Sequence, residues 1–242
     1  MVYTSVNASL NPELREAIFS GALFKSKCDH CGFINRIDYD ILYHDMKNKF
    51  MVWLSLPDHE NVILFQKHTL ELTAKNLGKD YVLRISRYPN HFIEKIRILE
   101  SHLDDRLIEL YKFLFKIRKE HPVETGNDYL HFKSMSRSFL GSKVIDWRLI
   151  YDNGVAQPIS EKVNAGDYAF AEKLLSTLEP KLKDGWFMVD WQFPFGQPVH
   201  DDDLIKLPFK SEVTEIETGN TIRTLPSQFV DVLERTGRGK RI

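Results

Sequence analysis

The clearest periodic pattern of apolar positions lies between residues 101 and 119. Large apolar residues recur there at steps of four and three and form two stripes, Leu103/Leu107/Leu110/Leu114/Ile117 and Ile108/Tyr111/Phe115. This spacing places the stripes on adjoining faces of one helix, so we predict a helix that packs against two neighbours. Ser101 and Asp104 have the spacing of a capping box, and we expect Ser101 to cap the first turn of this helix.

Three further segments have helical patterns. Asn11-Pro12 is typical of a helix start, because asparagine can cap free amide groups and proline has no amide to leave unpaired. We predict that this first helix ends at Gly21, since glycine accepts the left-handed conformation of a helix terminus. The other two helices are predicted over Pro89–Glu100 and within Ala165–Leu182.

Apolar runs of strand length alternate with these helices. The run from Phe50 to Leu56 has apolar groups on both faces, Phe50/Val52/Leu54 on one and Met51/Trp53 on the other, which predicts a strand covered on both sides. Further strands are predicted over Leu23–Lys27, Phe33–Asp38, Asn61–Gln66, Tyr81–Ser86, Tyr129–Met135, Lys143–Tyr151, Val155–Ile159 and Trp186–Phe193. The mixed order of helices and strands predicts an α+β fold.

A polar segment with proline and glycine, His121–Asp128, interrupts the pattern and is typical of a linker. We therefore predict a first domain over residues 1–119, a linker at 120–127, and a small α+β domain over 128–196. The pattern loosens after that, which predicts a loosely structured tail over 197–242.

Composition narrows the class of protein. A hydrophobic fraction of 43% is that of an ordinary globular chain and excludes disorder as the main state. The net charge of -1 argues against a dedicated polyanion binder, so nucleic acid is not an expected partner. No apolar run approaches the roughly 18 residues of a membrane span, and the N-terminus lacks the pattern of a secretory signal. We therefore expect a soluble, cytoplasmic protein without a membrane partner.

The two cysteines of the chain are too few for a disulfide scaffold, and both lie in Cys28-Asp29-His30-Cys31. Two thiolates at this spacing can meet one tetrahedral zinc ion from a tight turn, and Gly32 permits the positive φ that such a turn needs. A redox site would need Cys28 at the start of a helix, whereas residues of strand character follow Gly32. The pattern therefore favours a zinc knuckle, with His44 or His59 as further ligands only if the fold brings them close.

Several segments together resemble the CpXC domain of bacteria and archaea. The resemblance covers residues 1 to about 119 and rests on Asn11-Pro12-Glu13-Leu14, Gly21-Ala22-Leu23-Phe24, Cys28 to Gly32, Leu42 to Met46 with Lys49 to Trp53, and Leu103 to Leu110. The family is named after two Cys-Pro-x-Cys motifs, which imply a four-thiolate zinc ribbon. The resemblance implies no established activity.

The sequence departs from the family pattern at both motifs. Asp29 replaces the proline of the second motif, and the first motif, expected just before Tyr3, is absent. Either half of the metal site is lost, or the true start of the protein lies upstream of Met1. We expect a degenerate ribbon in which Cys28 and Cys31 are a candidate half-site, and well under one equivalent of zinc in the purified protein.

Other polar pairs have simple structural explanations. Asp104-Asp105 suits the positive end of the helix that follows. His44 and Asp45 are adjacent on a strand and point to opposite faces, so they cannot readily hydrogen-bond to each other. The sequence contains no glycine-rich phosphate loop, nucleophile elbow or His-Glu-x-x-His motif.

We therefore expect a non-enzymatic binding or scaffold module with a protein partner. The main alternative is an enzyme whose site lies within residues 128–195 and uses His131, Asp146 or Asp190 as acid-base groups. A second alternative, nucleic-acid binding through the ribbon and a basic C-terminal tail, is less favoured because no basic stripe interleaved with aromatic residues occurs.

Overall fold

The computed structural model describes residues 3–56, 77, 80–118, 130–150, 156–178 and 186–189, and three short strands nearer the C-terminus. The predicted strand Asn61–Gln66 and the predicted linker 120–127 lie outside these residues, as does most of the predicted tail. Helices and strands are mixed throughout the described ranges, so the fold is α+β, as predicted. Within those ranges, every helix is too short or too polar to cross a membrane.

The secondary-structure elements are numbered here in chain order. They are β1 (Ser5–Asn7), α1 (Pro12–Phe19), β2 (Lys25–Lys27), β3 (Ile34–Arg36), β4 (Ile41–Asp45), β5 (Phe50–Leu54), β6 (Val82–Ser86), α2 (Pro89–Glu100), α3 (Asp105–Arg118), β7 (Leu130–Arg137), β8 (Lys143–Ile150), β9 (Ala156–Lys162), α4 (Ala165–Leu178), β10 (Trp186–Met188), β11 (Val213–Glu215), β12 (Thr221–Ile222) and β13 (Gly239–Arg241).

The chain divides into two compact units, each built from separate segments. The first comprises Met1–Asp105, His131–Lys162 and Lys183–Met188. The second comprises Arg106–Leu130, Val163–Leu182 and Val189–Ile242.

A five-stranded mixed sheet in the order β1-β4-β5-β6-β10 forms the centre of the first unit. Strands β4 and β5 are antiparallel, with Tyr43 opposite Val52, whereas the other neighbouring strands are parallel. The edge strand β10 pairs with β6 and places Trp186 opposite Leu83. Residues from both sides of the segment 120–127 therefore contribute to one sheet.

Strand β5 is buried along its whole length, which confirms the prediction that both of its faces are covered. Phe50, Val52 and Leu54 join a core cluster with residues of α1 and α2, such as Ile18 and Phe92. On the other face, a smaller cluster consists of Met51, Trp53, Leu83 and Trp186. Strand β5 is thus the central element of the sheet, and it holds β4 and β6 in place on either side.

Two predicted helix caps are wrong, although the helices themselves form. Asn11 precedes α1, but its side chain makes no capping bond; its carbonyl accepts hydrogen bonds from the Leu14 and Arg15 amides instead. Ser101 ends α2, since its hydroxyl donates to the Arg97 carbonyl at 2.7 Å, and α3 begins only at Asp105. Ser101 therefore lies four residues before α3, too far from its first turn to occupy the capping position.

A second sheet of the first unit has the order β7-β8-β9. Strands β8 and β9 are antiparallel, and Trp147 of β8 lies opposite Ile159. Trp147 is buried and contacts Phe132 of β7 edge to face, at 6.2 Å between ring centroids. This sheet carries two of the three residues that were considered as acid-base groups.

The second unit contains most of α3, the helix α4, and the strands β11 to β13. Helix α3 is buried over Leu107–Phe115, including Glu109 and Lys112, whose charged groups lie 3.1 Å apart. Tyr111 of α3 contacts the ring of Tyr168 on α4, and the Asn164 amide donates a hydrogen bond to its hydroxyl at 3.0 Å. The burial of α3 is therefore more complete than its two apolar stripes predict.

Candidate metal half-site

The two cysteines lie in the turn between β2 and β3, a short antiparallel hairpin with Lys27 opposite Ile34. The Cys28 amide donates to the Phe33 carbonyl, and the Gly32 amide donates to the Cys28 carbonyl, both at 2.8 Å. Gly32 has a φ of 73°, which confirms the predicted need for glycine at this position. The turn from Cys28 to Gly32 is thus closed by its own backbone, and we call it the knuckle.

The knuckle favours the thiolate form of its first cysteine. The pKa of Cys28 is lowered because the backbone amides of Cys31 and His30 donate hydrogen bonds to its sulfur, with a further contribution from the Cys31 thiol. Cys28 is half-buried and Cys31 is exposed, and neither forms a disulfide. Since the thiolate is the form that binds metals, this local geometry suits a thiophilic cation such as zinc.

Zinc binding at the knuckle is limited by the number of ligands. A structural zinc ion takes four protein ligands, and the chain has only these two cysteines. Over the described ranges, no group of three or more His, Cys, Asp and Glu residues could hold a metal ion. His59 lies outside the described residues. The donor type and the turn therefore fit zinc, and the described residues supply two of the four ligands.

His44, the other histidine considered as a ligand, has a structural partner. Its Nε2 lies 3.2 Å from the Tyr81 hydroxyl, and partial burial lowers the pKa of the ring. Its neighbour Asp45 is buried and accepts hydrogen bonds from the backbone and side-chain nitrogens of Asn48, at 2.9 and 2.7 Å. The two side chains thus have different partners, as their adjacent positions on β4 predict.

The family comparison covers the hairpin that carries the knuckle and four of the five strands of the central sheet. Residues 1–112 match the family model described as CpXC protein. We call residues 1–112, which match this family, the CpXC domain. The match confirms the resemblance that the sequence motifs indicated. No curated protein and no solved structure matches the chain.

The CpXC domain also contains a buried ionic network that the sequence did not indicate. The Arg84 guanidinium donates two hydrogen bonds to the Asp105 carboxylate, at 2.8 and 2.9 Å, and the Lys95 ammonium lies 3.7 Å from the same carboxylate. All three side chains are at most 6% exposed. Asp105 therefore joins β6, α2 and the start of α3, a role beyond the expected interaction with a helix dipole.

One signal in the sequence could have revealed this network. Lys95 lies three residues after Phe92 and four before Leu99, so it occupies the face of α2 that enters the core. A lysine at such a position needs an anionic partner, since an unpaired buried charge is strongly unfavourable. The helical pattern thus predicts that a partner exists, although it does not say which carboxylate supplies it.

Two of the three candidate acid-base residues, His131 and Asp146, lie in the part of the chain that the structure describes. His131 Nδ1 lies 3.3 Å from one carboxylate oxygen of Glu94, and the other oxygen accepts a hydrogen bond from the Phe132 amide. Asp146 accepts hydrogen bonds from the hydroxyls of Ser134 and Ser160, which lower its pKa. Asp190 lies outside the described residues. His131 and Asp146 therefore have separate structural partners.

Proposed function

We propose that this chain is a non-enzymatic binding module that presents the hairpin of its CpXC domain to a protein partner. The observation that supports this function is the exposure of the hairpin. Every residue of β2 and β3 is exposed, and the hairpin carries three exposed large apolar side chains, which we call the hairpin patch: Phe33, Ile34 and Ile37, at 64%, 60% and 39% exposure.

Folding of the hairpin does not account for these side chains. The hairpin is held by its knuckle and by the Ile37 amide, which donates to the Phe24 carbonyl at 3.0 Å. None of these bonds uses an apolar side chain of the patch. Large apolar side chains that one short hairpin exposes beyond what its folding needs are typical of interaction sites.

The proposal is tested by capture of partners with the tagged full-length chain at native expression levels. We expect Phe33→Ser/Ile34→Ser to lose a partner that the wild-type chain retains after chemical cross-linking. The matched control is Phe139→Ser/Leu140→Ser, because these two apolar residues are also highly exposed but lie at the turn between β7 and β8. Equal capture by both variants and the wild type would exclude the hairpin patch as the binding surface.

A further inference from the structure

The turn between β7 and β8 carries the two most exposed large apolar side chains of the described residues. Phe139 is fully exposed and Leu140 is 88% exposed. They are adjacent in the chain, so both stand at the end of the β7–β8 hairpin, and we call residues 138–142 the tip. Side chains this exposed add nothing to the core, although their transfer out of water would be favourable.

The tip is held in shape by its own polar groups. The Gly141 amide donates to the Ser138 carbonyl at 2.8 Å, and the Ser138 amide donates to the Ser142 carbonyl at 2.7 Å. The Ser142 amide donates to the Ser138 hydroxyl at 3.1 Å. Three of the five amides of the tip thus have partners within it, which lowers the cost of moving the tip from water into a less polar medium.

Basic side chains lie at the base of the tip. Arg137 and Lys143 stand on either side of it, at the ends of β7 and β8, and both are exposed. Lys162, at the end of β9, is exposed at the same end of the sheet. The acidic residues of these three strands, Asp146 and Glu161, lie further from the tip. We call the three basic residues the collar, and they give this end of the sheet a positive charge.

We propose that the tip inserts into the surface of an anionic lipid bilayer, with Phe139 and Leu140 among the acyl chains and the collar at the phosphates. The dimensions support this arrangement. Arg137 lies two residues from Phe139, which is about 7 Å at the rise of a strand. Apolar groups at a membrane interface reach roughly 5–10 Å into the boundary between headgroups and acyl chains, so the collar lies at the level of the headgroups when the tip is inserted.

The order of apolar and charged groups matches a bilayer. A bilayer of this kind presents an anionic layer above an apolar one, and the collar and the tip are complementary to these two layers. A protein partner would need a cavity deep enough for both side chains and an acidic rim around it. The expectation that the chain has no membrane partner rests on the lack of an apolar span, and insertion of a tip needs no span.

Vesicle binding of the full-length chain tests the proposal. Vesicles of phosphatidylcholine alone are compared with vesicles that also contain phosphatidylserine, and the bound chain is measured by co-sedimentation. We expect the wild type to bind the anionic vesicles, and to bind less tightly as salt is added, because salt screens the attraction of the collar. Phe139→Ser/Leu140→Ser should weaken this binding at least about tenfold. The matched control is Phe33→Ser/Ile34→Ser, which removes exposed apolar residues of another hairpin and should bind as the wild type does.

Two further variants separate the charge of the collar from insertion of the tip. Arg137→Gln/Lys162→Gln should reduce the preference for anionic over neutral vesicles, because two exposed cations are removed. Phe139→Trp places a fluorescent ring at the tip, and lipids brominated on their acyl chains should quench its emission. The wild type supplies the background signal of the natural tryptophans.

The proposal is wrong if the wild type binds neither kind of vesicle, or if the tip variant binds anionic vesicles as tightly as the wild type. It is also wrong if the tip variant loses a captured protein while no vesicle is bound, because the tip is then a protein-binding surface. The tip and the hairpin patch lie on different hairpins, so failure of this proposal leaves the proposed function of the hairpin patch standing.

Discussion

Replacement of Asp105 by asparagine tests whether the buried network stabilises the CpXC domain. The Asp105 carboxylate is fully buried and accepts two hydrogen bonds from Arg84, with Lys95 also within 4 Å. Asparagine has nearly the same shape, so Asp105→Asn removes the negative charge and leaves little empty volume. Two buried cations then lose their shared anion.

The expected destabilisation is large for a single isosteric change. Removal of one partner from a buried ion pair costs about 3–5 kcal/mol, because the remaining charge stays away from water. The free energy of unfolding of a domain is itself about 5–15 kcal/mol. For a chain of this size, the change corresponds to a fall in Tm of roughly 6–20 °C.

The measurement is urea unfolding of the full-length chain, followed by circular dichroism and by tryptophan fluorescence. Asp104→Asn is the matched control, because Asp104 is the neighbouring aspartate but is only half-buried. Both variants remove one charge near the start of α3, and an interaction with the helix dipole is worth only about 0.3–1 kcal/mol. Equal and small effects of the two variants would refute the network and leave the dipole as the full explanation.

A double-mutant cycle measures the pair directly. We expect Arg84→Met and Asp105→Asn together to cost less than the sum of the two single changes, because each single change already breaks the same pair. Coupling of about 0.5–3 kcal/mol is typical of residues in one ionic network. Additive effects within error would show that Arg84 and Asp105 do not interact in solution.

Three further predictions concern the knuckle and β4. In Cys31→Ser, the Cys28 thiol should still alkylate with a lower pH midpoint in the native chain than in urea, because the backbone amide bonds to its sulfur remain; equal midpoints by mass spectrometry would contradict this. Gly32→Ala should destabilise the hairpin by about 1–2 kcal/mol, and Gly32→Asn by less, since φ is positive there. Amide hydrogen exchange over residues 25–37 measures this, and equal rates would count against it. Burial lowers the pKa of His44, so its contribution to stability is present above pH 6.5 or so and is lost as the pH falls through the lowered pKa. In His44→Gln, the free energy of unfolding, measured with urea, should therefore fall less between about pH 7 and 5 than in the wild type. An equal fall in both proteins would refute His44 as the cause.

The helices and the central strand could be predicted because their patterns are local. Helix α2 extends over the predicted range, and the apolar groups on both faces of β5 correctly predict that it is covered on both sides. A period of 3.6 or of 2 residues is imposed by the geometry of a single element. Such a pattern therefore predicts the helix or strand without information about the rest of the chain.

Helix ends were harder to predict because neighbouring elements compete for the same groups. Ser101 has the spacing of a cap, but it ends α2, and α3 begins four residues further along the chain. Asn11 is placed as a cap, yet its side-chain oxygen lies near the Asn7 amide at 3.4 Å. A capping motif shows that a side chain can hydrogen-bond to a backbone group, but it does not show which backbone group the folded chain places beside it.

Strand pairing could not be predicted from the chain. The three-residue strand β10 pairs with β6, which lies about a hundred residues earlier in the sequence. Trp186 and Leu83 meet there because both are large and apolar, but many other pairs of short strands offer the same match. Short apolar runs carry no information on their register, so this partner could only come from the structure.

The two polar sites of the CpXC domain also differ in whether their residues are close together in the sequence. The knuckle could be predicted because all of its parts lie within the five residues from Cys28 to Gly32. The network of Arg84, Lys95 and Asp105 combines three elements, and no spacing in the sequence joins them. The sequence therefore explains Asp105 only by the dipole of its own helix.

The charged network and the hairpin patch of the CpXC domain have opposite placements, and this difference predicts different roles for them. Buried charges are unfavourable unless they are paired, and Asp105 pairs with Arg84 inside the domain, which accounts for both residues without any ligand. Phe33 and Ile34 have the opposite placement, since they are apolar and exposed. Internal packing stabilises the charged network in the isolated chain, whereas only a second surface can remove the hairpin patch from water. The network is therefore expected to affect stability and the patch to affect association, so substitutions at the two sites should change different measurements.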